Sequence, residues 1–164
     1  MENSNKIMQF LRRYKDNRGA MASLRCLLST EQKFRGWQLI AGINGIGNVA
    51  VEIVAGLYAM HPMEKNDESY NFGDACRRLA TDRKTNKVSE ESPFDRRFKR
   101  LLSCDSRDEL RRHLADIVRG LKTEDIPVNY ESLCFDLTRW GERVREKWAI
   151  HYWNERKEED NVLD

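Results

Sequence analysis

The sequence has little of what builds sheets, staples small domains or anchors a chain in a bilayer. No stretch alternates apolar and polar residues for long, and no hairpin dipeptide sits between β-branched runs, which argues against a sheet. Its four cysteines, Cys26, Cys76, Cys104 and Cys134, lie far apart with no C-x-x-C pair. Each sits among helix-like apolar residues, so they read as reduced, buried thiols suited to a cytoplasm. A zinc site needs clustered ligands, and none of His61, His113 and His151 stands at ligand spacing from a cysteine. Residues 36–51 carry no charge, but Glu52 ends the run and glycines and asparagines dilute it. It falls short of the roughly 18 apolar residues of a membrane span. The opening "MENSNKIMQFLRRYK" has no apolar core of signal-peptide length. The expectation is a soluble, cytoplasmic protein without a membrane partner.

What is present is helical spacing. The 164 residues suit one domain, or two small ones sharing a core, and 40% apolar with 34% charged residues suits a globular chain. Ile7, Phe10, Leu11 and Tyr14 form a first apolar stripe, and Ala20, Leu24, Leu27 and Leu28 a second. Residues 48–60 are apolar on nearly all sides, as in a central buried helix. Two polar segments, 61–71 and 81–92, bracket a short helix beginning near Phe72. Ser92-Pro93 then starts a helix with Asp95 in its first turn and Phe94, Phe98, Leu101 and Leu102 on its apolar face. Ser106 and Glu109 form a capping box for the next. Asn129 caps a last stretch whose stripe runs from Tyr130 to Trp148 through Gly141, where a kink is expected because glycine costs about 1 kcal/mol in a helix. The reading is an all-α helical bundle with two packed halves, an N-terminal helical region over 1–90 and a C-terminal bundle over 91–164.

"GINGIGNVAVEIVAGL" (42–57) contains a G-x-G-x-x-A pattern over Gly45–Ala50. A dinucleotide fold also needs a strand before the glycines and a second strand ending in an acid about 20 residues on. "LIAGIN" could pass for the first strand, but Pro62 and its polar surroundings leave no second one. The glycines therefore read as a turn and as close approach between buried helices, and no cofactor is expected. No histidine has the neighbours of a Ser-His-Asp site. Asp105, Asp108 and Glu109 could be imagined on a metal, but helix capping explains two of them. The expectation is a protein that is not an enzyme.

The formal net charge of +2 is small, but the charge is unevenly spread. Residues 1–35 hold eight Lys/Arg against three acids, residues 94–123 nine against five, and residues 154–164 two against five. Arg96, Arg97 and Arg100 share one helix side, Arg112 and Arg119 lie two turns apart, and Arg111 and Lys122 make a second row. Arg139, Arg143 and Lys147 repeat at every fourth position, and Arg12, Arg13, Lys15, Arg18 and Arg25 add an N-terminal group. Guanidinium forks match phosphate oxygens. Equally, acids interleave with these rows, and many charged helix faces are only solvated.

The second half, "SPFDRRFKRLLSCDSRDELRRHLADIVRGLKTEDIPVNYESLCFDLTRWGERVREKWAIHYW", resembles the CasB family, the small subunit of the type I-E CRISPR Cascade complex. The R-R-F-x-x-L-L segment, the D-x-x-x-L-x-x-x-L helix, the "IPVNY" loop and the L-x-x-W helix carry the likeness. "VAGLYAMHP" followed by "NFGDACRRLA" extends it over roughly residues 10–153. The resemblance implies an all-helical, non-catalytic subunit, present as a pair in a crRNA-guided antiviral complex beside its backbone and large subunits. It also implies basic surfaces on nucleic acid, stabilising the opened target DNA as an R-loop and holding the displaced strand. The expected contacts are Arg96, Arg97, Arg100, Arg111, Arg112 and Arg119, with Arg12, Arg13 and Arg143 secondary. An assembly-only spacer, whose arginines pair with acidic partner subunits, is the alternative.

Overall fold

In a computed structural model that describes residues 1–82 and 93–162, α4 (Val49–Met60) is the axis of the fold. Asn48 caps it by accepting from Val51 N, and ten of its residues, Ala50 to Ala59, are buried. A helix apolar on every side has to be surrounded, and α4 is. The N-terminal half supplies α2 (Arg18–Arg25) and the 3-10 turn Cys26–Leu28, on which α3 (Phe34–Ile40) packs, and the C-terminal half supplies α7 (Arg107–Thr123) and α8 (Tyr130–Thr138). Helix α1 (Glu2–Arg12) lies on α8, and α5 (Phe72–Asp82) on α9 (Glu142–Val162). Helix α6 (Pro93–Leu102) packs on α7 and α5. The buried side chains form one cluster drawn from both halves. Ser92, expected to cap α6, and the expected boundary near residue 90 lie outside the described residues.

The sheet-free reading holds among the described residues, where the one β element is an isolated bridge between Glu64 and Val128. Ser106 and Asn129 cap as expected, their side chains accepting from Glu109 N at 3.2 Å and Ser132 N at 3.1 Å. Among the described residues, no helix is long and apolar enough to cross a membrane.

The C-terminal stripe differs from its expected form. Tyr130, Leu133, Cys134, Leu137, Val144 and Trp148 are all buried, but the helix does not run through Gly141 with a kink. It ends at Thr138, and α9 starts at Glu142. Glycine disfavours helix at this point, and the indole of Trp140 is turned aside to donate to the Cys104 carbonyl at 2.8 Å.

The glycine-rich stretch is a helical turn. "LIAGI" belongs to α3 and a following 3-10 turn (Ala41–Ile43), so no strand precedes the glycines. Asn44 (φ 53°) and Gly47 (φ 77°) reverse the chain in the left-handed region, which Gly and Asn enter most readily.

Gly73 marks a close approach of α5 to α9. A Cβ there would lie 2.2 Å from the Trp148 carbonyl oxygen, so α5 and α9 touch backbone to backbone. Gly73→Ala should therefore cost about 1–3 kcal/mol of unfolding free energy, the usual range for overpacking. Urea denaturation checks this, and a variant as stable as the parent would contradict the packing. Burial also pushes the thiols of Cys76, Cys104 and Cys134 up, while Cys26 is half-buried. Since the thiolate is the reactive form, iodoacetamide should label one cysteine in the native protein, Cys26, and four after denaturation.

Candidate nucleic-acid interface

Helix α6 sorts its residues cleanly. Phe94, Asp95, Phe98 and Leu101 are buried, while Arg96, Arg97, Lys99 and Arg100 are exposed. With 3.6 residues per turn, Arg96, Arg97 and Arg100 project on one side. Among the described residues, Arg97 and Arg100 have no ion-pair partner.

The α7 arginines separate. Arg112 and Arg119 share the exposed stripe as expected, but that stripe also carries Asp108 and Asp116. Arg119 pairs with Asp116 at 2.7 Å, and Arg112 lines an open cleft with Ser29, Glu31 and Asp108. Arg111 corrects the sequence expectation. It is 1% exposed, with Nη1 on the Leu27 carbonyl at 2.5 Å and Nη2 on Glu52 Oε1 at 3.2 Å. Trp37 donates to the other Glu52 oxygen at 2.7 Å. The reason is α4. Glu52 stands in its most apolar part, and a buried carboxylate demands a partner. Arg111, at the edge of the α7 core face, is drawn in, and no phosphate can reach it.

The secondary positions divide likewise. Arg12 is held by Glu64 (3.0 Å) and Glu131 (2.9 Å), which tie α1 to α8 and to the loop after α4; those carboxylates push its pKa further up. Arg13 is exposed and lies over the Phe10 ring at 5.5 Å. Arg143 is exposed beside Glu142, Glu146 and Ile150. Its expected row is broken, because Arg139 lies over Phe135 at 4.2 Å and Lys147 pairs with buried Asp136. Of the C-terminal aromatics, Trp148 and Tyr152 are core, and Trp140 and Trp153 are half-buried against it.

Sequence reasoning passed over Arg145 and Arg107. Arg145 donates to the Cys104 carbonyl at 2.8 Å and to Asp105 at 3.0 Å. Arg107 donates to the carbonyls of Leu137 and Thr138, at the end of α8. The bonds to backbone oxygens span 30 to 41 residues of chain, and the sequence carries no signal for them. Among the described residues, no group of three His, Cys, Asp or Glu side chains could hold a metal ion. His61 donates to the Ile126 carbonyl at 2.7 Å, and His151 meets buried Asp74 at 2.7 Å, so both tie elements of the fold together.

A family model described as CRISPR-associated protein Cse2 matches residues 10–153. The chain belongs to this family. No curated protein matches it, but solved structures do. CasB from M. ruber superposes with a TM-score of 0.76 at 20% identity, covering 98% of this chain and 97% of that one. CasB from Thermus thermophilus gives 0.69 at 20% identity over 92% and 97%. A chain of a CRISPR RNA-guided surveillance complex gives 0.75 at 16% identity over 99% and 98%. At these identities the likeness is one of fold, and the all-α Cse2 architecture is the one the sequence resemblance implied.

In this Cse2 chain the Arg111–Glu52 pair makes a sharp prediction. Arg111→Ala leaves a carboxylate buried without its counter-ion and should destabilise by about 3–5 kcal/mol. Arg111→Met with Glu52→Leu removes both charges and should recover most of that loss. Thermal and urea unfolding of the three proteins checks it; an Arg111→Ala protein as stable as the parent would show that the pair contributes nothing.

Proposed function

We propose that this Cse2 protein is a non-catalytic helical subunit of a crRNA-guided antiviral complex, and that its α6 surface holds nucleic-acid backbone. The single observation that carries the reading is the face of Arg97 and Arg100, exposed and without ion-pair partners among the described residues. Family membership and the fold shared with a chain of a surveillance complex support the setting. Its partners there are the crRNA-bearing backbone subunits, the large subunit and a second copy of itself, in the cytoplasm.

The chemistry needs charge rather than base recognition. Exchanging a DNA duplex for an RNA–DNA heteroduplex is nearly balanced, so contacts to backbone tip it toward the opened state. Arginines along α6 supply such contacts to the target or the displaced strand, stabilising the R-loop. Arg96 shares this side, Arg112 and Arg143 are exposed reserves on neighbouring helices, and Arg13 and Arg119 contribute at the margin. Arg12 is committed to Glu64 and Glu131.

Arg12 and Arg119 pair with acids of this chain, which lowers the charge offered to phosphate, and the assembly-only spacer is the alternative reading. A gel-shift titration of the isolated protein with single-stranded DNA separates the two. The parent should retard DNA in a salt-dependent, sequence-indifferent way. Arg97→Glu with Arg100→Glu should weaken binding about tenfold or more at low salt and flatten the log–log salt slope by about 1 to 2. A parent protein that never retards DNA, or a double variant that binds as well as the parent, overturns the proposal.

A further inference from the structure

Helix α6 and the turn that follows it meet α9 at Tyr152–Trp153 and at Arg145, about 10 Å apart along α9, seven residues of helical rise. Midway along α6, Phe98 stacks on Tyr152 with centroids 4.1 Å apart and meets Trp153 at 5.4 Å; in its first turn Asp95 accepts from the Tyr152 hydroxyl. At its C-terminal end the contact is polar and converges on one atom. The Cys104 carbonyl, in the turn that leaves α6, accepts from Trp140 Nε1 and from Arg145 Nη2, both at 2.8 Å. Arg145 also reaches Asp105 at 3.0 Å, and its guanidinium lies 5.4 Å from the Trp140 ring centre. The same turn closes back on α6, with Ser103 Oγ and Cys104 Sγ donating to the Arg100 carbonyl.

From this we infer that Trp140 and Arg145 form a clasp that positions the α6 arginines, an inference that rests on the phosphate-holding role proposed above. Arg145 is three-quarters covered and directs Nη2 at the turn, so it acts through α6 rather than on phosphate itself. Without the clasp, the turn that follows Arg100 loses its polar ties to Trp140 and Arg145. A row of point charges grips a phosphate backbone only while its spacing and direction are held, because preorganised donors lose little freedom on binding.

The experiment is a charge-neutral one. Trp140→Phe with Arg145→Lys keeps the net charge and removes the indole donor and the planar fork. Single-stranded DNA binding is measured over a salt series, at a temperature where circular dichroism shows full helicity. Leu24→Ala, which empties a buried position on α2, serves as a destabilised control. The clasp predicts binding weakened about three- to tenfold with a salt slope smaller by about 1, while Leu24→Ala binds as the parent does. Should the double variant fold poorly, Trp140→Phe alone removes one of the two bonds and should shift binding in the same direction. Parent-like affinity and slope in the clasp variant, or an equal loss in Leu24→Ala, overturns the inference provided that Arg97→Glu with Arg100→Glu still weakens binding. If that α6 variant also binds like the parent, the phosphate-holding role fails first and the clasp falls with it.

Discussion

A buried carboxylate in the first turn of the most apolar helix governs this structure. Glu52 sits one turn into α4, where nearly every neighbour is hydrophobic, and it has to be neutralised where it stands. Three elements answer it: Trp37 from α3, Arg111 from α7 and, through Arg111, the Leu27 carbonyl after α2. Desolvating two charges gives back most of what their attraction gains, so the pair is weak as a source of net stability. Its effect is on specificity, because a slip of α7 against α4 would strand both charges. The N-terminal and C-terminal halves are thus keyed to each other by polar chemistry and then packed by apolar burial.

The same economy sorts the arginines. Those facing a buried or half-buried acid, Arg111 on Glu52 and Arg12 on Glu64 and Glu131, become part of the scaffold. Those facing a bare backbone carbonyl, Arg107 and Arg145, become struts between helices. Among the described residues, Arg97 and Arg100 on α6 are exposed without an ion-pair partner, and further exposed arginines stand after α1 and on α2, α3, α7 and α9. Guanidinium suits all three uses, since it stays charged, forks, and stacks on aromatic rings. A count of basic residues therefore overstates the surface available to phosphate.

Much of the fold was legible in the sequence, and for local reasons. The caps at Ser106 and Asn129, the all-round apolar helix at 48–60 and the stripes of α1, α2 and α6 follow from side chains within a turn or two of each other. The glycine pattern was also readable as a turn, because the strands that a dinucleotide site requires were missing from its flanks. The break at Gly141 was half legible: glycine marked the weak point, but the Cys104 carbonyl that draws Trp140 aside lies 36 residues away.

By itself, the sequence determined the class, the helices, their buried faces and the Cse2 kinship, all of which rest on periodicity, capping and ordered local motifs. Only the tertiary structure decided which arginines are structural and which are exposed. Helix periodicity placed Arg111 and Arg112 side by side among exposed candidates, yet one is enclosed and the other is open. The difference is Glu52, 59 residues earlier in the chain. Burial of a charge depends on which distant group the fold brings within hydrogen-bond reach, and spacing along one helix carries no record of that.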